Sequence, residues 1–205
     1  KPLCMNEEEL EQIMDCHSTS KQHLMVGYNR RFSPQIRKII DTFGKDSKKT
    51  INYRINVGPV DPKHWTQDKD IGGGRVIGEV CHFLDLCMFL AGSKPKSIAA
   101  LCLEDPLNLE DTITSIVQFQ NGSVATISYY TNGNKMLEKE YLEVYCNGSI
   151  AIMNDFKKLT ILGEKKIHNT ITQDKGHRQE LVEFFNALKN NTQMPISSDE
   201  LYWSS

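Results

Sequence analysis

Arg75, Glu79, His82 and Asp85 interrupt an otherwise apolar stretch at spacings i, i+4, i+7 and i+10. Around them stand Val76, Ile77, Val80, Cys81, Phe83, Leu84, Cys87 and Met88. The spacing puts the four on one narrow stripe of a helix whose remaining circumference is apolar, so the helix should be largely buried. An unpaired polar group in such a place costs roughly 1–3 kcal/mol, so each of the four needs a partner or a task. An imidazole, with an ordinary pKa of about 6.5, is suited to moving a proton near neutral pH. A carboxylate three residues earlier can reach it along a helix and favour its charged form. The alternative is a core histidine bonded to Glu79 or to backbone.

Other residues have the right chemistry in less definite settings. Asn29-Arg30-Arg31 follows the apolar run Leu24–Tyr28, a strand end of the kind where open α/β sheets place ligands. The same arginines could instead be a solvated pair capping the next helix. His64 and Trp65 lie in a long loop and could contact a sugar ring or a nicotinamide, or simply cover the core. Gly72-Gly73-Gly74 could cradle an anion ahead of a helix. It matches neither the dinucleotide fingerprint nor the P-loop, and a positive φ or a close backbone approach is the simpler account. His177 opens the last long helix and reads as a capping or packing residue. Lys1, by position alone, is a solvated and mobile terminal residue.

The elements that must hold these residues follow from periodicity and punctuation. Asn6-Glu7-Glu8-Glu9 starts a short helix to about Cys16. Leu24–Tyr28 reads as a buried strand, and with that helix it resembles the tail of a βαβ unit. Phe32 to Phe43 is a second helix, with Pro34 in its first turn and Gly44 at its end. Thr50–Val57 alternates with period two and reads as a strand with one wet face. The helix from Arg75 runs to about Leu90. Strands follow at Ser97–Leu103, at Thr112–Phe119 and Val124–Tyr130 around Asn121-Gly122, at Tyr141–Cys146 and Ser149–Met153 around Asn147-Gly148, and at Lys158–Leu162. A closing helix spans about Lys175 to Lys189, with Leu181, Phe184, Phe185 and Leu188 as its apolar stripe. The chain stops at what looks like one more helix barely begun, so truncation is expected at both ends. This order predicts an α+β fold: one open, mostly antiparallel sheet with helices on one face. The other face would stay in water or meet a partner subunit, with Tyr129, Tyr141 and Tyr145 among the strand positions available for it.

Composition narrows the function classes. The 205 residues are 39% hydrophobic and 24% charged, with 24 Lys+Arg against 26 Asp+Glu for a net charge of −2. That is an ordinary globular balance without a basic footprint for nucleic acid. No apolar run is long enough to span a bilayer, and no signal-peptide pattern precedes the first helix. Six cysteines at positions 4, 16, 81, 87, 102 and 146 form no CxxC pair, and they read as reduced thiols of a cytoplasmic protein that binds no metal.

Three segments, in this order and spacing, carry a family resemblance. They are Lys1-Pro2-Leu3 ahead of a helix, Val26-Gly27-Tyr28-Asn29-Arg30-Arg31-Phe32-Ser33-Pro34, and the run from Gly72-Gly73-Gly74-Arg75 to Glu79-Val80-Cys81-His82-Phe83-Leu84-Asp85-Leu86. Together they resemble the Gfo/Idh/MocA oxidoreductases. The wording Ile51-Asn52-Tyr53-Arg54-Ile55-Asn56 and His64-Trp65 looks most like the bacterial two-module enzymes, which join a zinc-type alcohol dehydrogenase module to a Gfo/Idh/MocA module.

The resemblance implies an N-terminal Rossmann domain for NAD or NADP, followed by an α+β domain like the C-terminal domain of glyceraldehyde-3-phosphate dehydrogenase. It divides this chain into residues 1–31, a remnant of the dinucleotide-binding domain, and residues 32–205, a substrate-binding and oligomerisation domain. It implies hydride transfer to or from a hydroxyl-bearing carbon of a sugar, cyclitol or nucleotide sugar, and a homo-oligomer built through the open sheet face. Lys1 matches the lysine of the family's Glu-Lys-Pro motif, which polarises the substrate oxygen. Pro2 would follow a cis peptide that turns the segment toward the cofactor. His82 matches the helix histidine that acts as general acid/base. From their own positions Asn29, Arg31, Trp65, Arg75 and Glu79 are the candidate substrate contacts, and the resemblance adds Lys1 and Pro2 as cofactor contacts. Many members carry Asp four residues before that histidine. The position here is Gly78, with Glu79 one residue on and about 100° further round an α-helix. The departure motivates a second reading, a non-enzymatic ligand-sensing or oligomerisation module of the same fold. On either reading the 205 residues alone should be inactive.

Overall fold

In the computed structural model the described residues are 1–20, 22–61, 63–68, 71–104, 110–163, 166–169 and 172–205. Their centre is one 8-stranded sheet. In chain order its strands are β1 Thr50–Asn56, β2 Pro95–Cys102, β3 Ile113–Phe119, β4 Val124–Tyr130, β5 Glu140–Cys146, β6 Ser149–Asn154, β7 Lys158–Leu162 and β8 Lys166–Asn169. They lie in the order β2-β3-β4-β1-β5-β6-β7-β8. Only the central β1–β4 pair is parallel; the other pairings are antiparallel. Short connections explain this, because Asn121-Gly122 and Asn147-Gly148 can only reverse a strand next to itself. Asn147 and Gly148 both have positive φ, at 47° and 79°, as a two-residue type I′ turn demands.

The alternation in β1 sets the layers. Ile51, Tyr53 and Ile55 point to the buried face with Leu142 and Val144 of β5 and Met153 of β6. Two helices cover that face. Helix α2, Pro34–Phe43, inserts Ile36, Ile39 and Phe43, and helix α3, Cys81–Ala91, inserts Phe83, Leu86, Cys87 and Leu90. The opposite face leaves Ile116, Tyr145 and Leu162 exposed among polar residues. A second, smaller core joins Val26, Tyr28 and Phe32 to Cys81, Ile196 and Leu201. Through it the leading segment and the last helix, α5 Ser198–Ser204, are held to the start of α3. Helix α5 is complete enough to carry a full capping box between Ser197 and Glu200.

Several expectations change. The first helix, α1, runs Glu7–Ser20, four residues beyond Cys16. The run 24–28 is extended but makes no ladder among the described residues; a strand exists by pairing, and no partner strand lies beside it. The expected single helix from Arg75 divides into a π-helical turn, Val76–Val80, and then α3. Strand β8 is an addition that four residues of sequence did not signal. The largest reversal is helix α4, His177–Asn190. Its apolar stripe of Leu181, Phe185 and Leu188 faces outward, and Glu180 is turned in.

Candidate active site

The stripe Arg75, Glu79, His82, Asp85 does not survive as a stripe. A π turn advances each residue by a smaller angle than an α turn, so residues three and four apart no longer stack. Arg75 is buried, donates from Nη1 to the Gly58 carbonyl at 3.1 Å, and lies 3.7 Å from a Glu79 carboxylate oxygen. Glu79 also faces Lys139 Nζ at 3.4 Å. Asp85 is fully buried and receives Arg31 Nε at 3.0 Å. Arg31 in turn donates to Glu200 at 2.7 Å. Three of the four polar groups thus found charge partners. His82 did not: its Nδ1 is buried with no hydrogen-bond partner among the described residues. The expected Glu79–His82 pair is replaced by ion pairs from Glu79 to Arg75 and Lys139.

The surroundings hold that imidazole neutral. Burial comes first, then the positive charges of Arg30 and Lys1, and together they push its pKa down to about 3. Tyr28 packs against the ring edge-on, with centroids 5.6 Å apart. Lys1 comes from the other end of the chain's sequence logic, through a cis Lys1–Pro2 peptide. Its stem passes Gly27, where a built Cβ would lie 3.5 Å from Lys1 Cε and 3.7 Å from Nζ. Lys1 thus runs past Gly27 while His82 packs on the next residue, Tyr28, and the Lys1 charge bears on the imidazole; this neighbourhood is the candidate cleft.

The strongest network here joins Arg30 to residues without a functional signal in the sequence, Glu140 and Lys175. Arg30 forks onto Glu140, Nε to Oε2 at 2.8 Å and Nη2 to Oε1 at 3.0 Å. Lys175 Nζ reaches Glu140 Oε1 at 2.7 Å, and the Tyr53 hydroxyl donates to Oε2. Burial alone would raise the Glu140 pKa; Arg30 and Lys175 overcome it and hold the carboxyl at about 2. Arg30 also lies over Phe83, 4.7 Å from the ring centroid. The His177 pKa is lowered, first by burial and then by the charges of Lys1 and Arg30. Of the Asn29-Arg30-Arg31 run, Arg30 thus faces the cleft, and Arg31 serves Asp85 and Glu200. Asn29 donates to the Lys175 carbonyl at 2.8 Å, tying that loop down. The three residues form a 3₁₀ turn, where neighbours diverge widely, and the sequence could say that the arginines part but not which faced in. Glu140 had no signal at all: it opens an ordinary strand.

Trp65 is 60% exposed beside His64, with ring centroids 5.9 Å apart. The triple glycine is accounted for by backbone. Gly73 and Gly74 have φ of 68° and 80°, and a Cβ on Gly72 would sit 2.6 Å from the Trp65 carbonyl oxygen. A Cβ on Gly78 would meet only the Gly72 carbonyl, at 3.8 Å, so that position has room for a side chain it lacks. A separate cavity of about 470 Å³ lies between α1, the π turn and α5, lined by Cys4, Met5, Val76, Ile77 and Tyr202.

A family model described as the oxidoreductase family, C-terminal alpha/beta domain, matches residues 37–199. The chain belongs to the Gfo/Idh/MocA oxidoreductase family. Among similar proteins, the inositol 2-dehydrogenase of Rhizobium meliloti (strain 1021) is 30% identical over 139 residues, which is 62% of this chain and 41% of that enzyme. The UDP-N-acetylglucosamine 3-dehydrogenase GnnA from Acidithiobacillus ferrooxidans superposes on 100% of this chain and 65% of its own, with a TM-score of 0.81 and 18% identity. A levoglucosan dehydrogenase in complex with NADH and levoglucosan gives a TM-score of 0.83 at 18% identity, over 100% of this chain and 67% of its own. At that identity the structural likenesses show the Gfo/Idh/MocA fold, and this chain spans 41% of the curated inositol enzyme. No helix among the described residues is long and apolar enough to cross a membrane.

Proposed function

We propose that this chain is the substrate-side part of an NAD(P)-dependent oxidoreductase acting on a hydroxyl-bearing carbon of a sugar, cyclitol or nucleotide sugar. Residues 1–31 would complete a dinucleotide-binding domain, and residues 32–205 would bind substrate and associate with other copies. One observation carries the reading: His82 Nδ1 is buried, neutral and unpartnered among the described residues, with the Lys1 charge bearing on it. Leaving a ring nitrogen unsatisfied is costly unless a ligand completes it.

The chemistry follows from those two groups. The nicotinamide, when bound, accepts or returns the hydride. In the oxidising direction the neutral imidazole of His82 takes the proton of the substrate hydroxyl as the hydride leaves the carbon. The Lys1 ammonium stabilises the negative charge that gathers on the same oxygen. In the reducing direction both steps run backward. Lys1 and Pro2 are the residues of this chain at the cofactor side. Trp65 offers an apolar face to a sugar ring, and Arg75 and Glu79 form the polar wall below the triple glycine. The inositol, UDP-sugar and anhydrosugar names of the similar proteins support this substrate class.

The test is turnover by the full-length protein with NAD or NADP and a panel of cyclitols, free sugars and UDP-sugars. His82→Ala should lower kcat by about 10²–10⁴-fold in a folded protein. Unchanged turnover removes the acid/base assignment. Gly78 favours the second reading, a ligand-sensing module, and no turnover of any panel member by the wild type would establish that one instead.

A further inference from the structure

Helix α4 is set against its own amphipathic pattern. Phe185 is 60% exposed, whereas Glu180 on the opposite side is only 7% exposed. Turning a carboxylate inward and an aromatic ring outward is unfavourable unless the carboxylate meets a cation. Glu180 Oε1 is buried and has no hydrogen-bond partner among the described residues. What lies opposite is Lys1. A Cβ built on Gly27 would come 3.3 Å from Glu180 Oε1, 3.5 Å from Lys1 Cε and 3.7 Å from Lys1 Nζ. The carboxylate and the ammonium thus both border the space that a side chain at Gly27 would fill, without forming a direct hydrogen bond among the described residues. Burial raises the Glu180 pKa, the Lys1 charge offsets this only in part, and Asp85 of α3 adds a smaller upward push, so the carboxyl stays above its ordinary value.

We propose that Glu180 is the positioning residue for Lys1: its buried carboxylate, across the gap left by Gly27, fixes the ammonium beside the reacting oxygen. This rests on the reading of Lys1 given above. A lysine ammonium is a point charge on a flexible four-carbon stem, and nothing in the leading segment fixes where it points. A carboxylate anchored on a helix supplies that fixed point. The arrangement also ties the leading segment to the substrate domain, because residues 1 and 180 belong to the two different parts of the chain.

The experiment is steady-state kinetics of the full-length enzyme with Lys1→Ala, Glu180→Gln, Glu180→Asp and Gly27→Ala, each checked for a cooperative melt. Glu180→Gln should lower kcat roughly 10- to 100-fold, the scale of a misplaced catalytic group, with KM for sugar and dinucleotide within about twofold. Glu180→Asp, which keeps the charge, should recover much of that loss. Gly27→Ala, whose methyl enters the gap, should lower kcat in the same way without altering any charge. A dead Lys1→Ala beside folded Glu180→Gln with wild-type kcat overturns the positioning role alone. Wild-type kcat in Lys1→Ala removes the reading of Lys1 and this inference with it. Should Glu180→Gln not fold, Gly27→Ala decides, and wild-type kcat there overturns the proposal.

Discussion

His82 and Arg31 began as residues of similar promise and ended in opposite roles. Both are buried polar side chains near one cleft, and the difference is satisfaction. Arg31 bonds to Asp85 and to Glu200, leaving its guanidinium engaged on two sides. Removing one partner of a buried pair strands the other charge, at a cost of about 3–5 kcal/mol. Arg31→Ala should therefore lower the melting temperature of the protein sharply, and any loss of activity should track unfolding. A variant that melts like wild type but loses affinity for sugar would return Arg31 to the substrate site. His82 is the contrary case, since its Nδ1 gains nothing from the fold. Substituting it should cost turnover and leave the melting temperature nearly in place.

The elements that build the cleft are held by one very close approach. Gly176, the residue before α4, has φ of 87°, and a Cβ there would lie 2.5 Å from both the Asn29 carbonyl oxygen and the Ser33 nitrogen. Backbone meets backbone at that point, so no side chain can move aside. Around it the Asn29 side chain bonds the Lys175 carbonyl, Ser33 Oγ bonds the Asp174 carbonyl, and the Gly176 nitrogen bonds Asp174 Oδ1. This clamp fixes the start of α4 against the 3₁₀ turn that carries Arg30. Gly176→Ala would combine backbone strain of order 1–3 kcal/mol with a forced separation of the two elements. It should lower both the melting temperature and kcat, and a differential scan with wild-type values would show the clamp to be dispensable. The π turn before α3 is the second device at this scale. It separates Glu79 from the face of His82 and hands it to Arg75 and Lys139.

At the scale of the molecule the sheet is one-sided. Helices cover one face, and Leu101, Ile116, Tyr145 and Leu162 remain exposed on the other. Open antiparallel sheets of this kind associate when apolar strand positions cluster. Sedimentation of the full-length protein should give a dimer or larger species, and Ile116→Glu combined with Leu101→Glu should shift it toward monomer. A wild-type monomer at high concentration would assign that face to solvent.

What the amino-acid sequence determined by itself was local. Period-two alternation in β1, the Asn147-Gly148 turn, Gly44 closing α2 and the apolar background around His82 each follow from a few neighbouring residues, and each is where the sequence put it. The wording of the segments around Lys1, Asn29 and His82 carried the family. The tertiary structure decided what depends on distant pairing. Leu24–Tyr28 has strand composition but no ladder, because a ladder needs a neighbour. The α4 stripe predicted that Leu181 and Phe185 would face in, and the tertiary structure turned Glu180 in instead. Glu140 lay unremarked in a strand until Arg30, Tyr53 and Lys175 converged on it from three other places in the chain. Hydrophobic periodicity reports which face of an element is apolar. Which face is buried depends on what the rest of the molecule sets against it, as α4 shows by burying Glu180 and leaving Phe185 exposed.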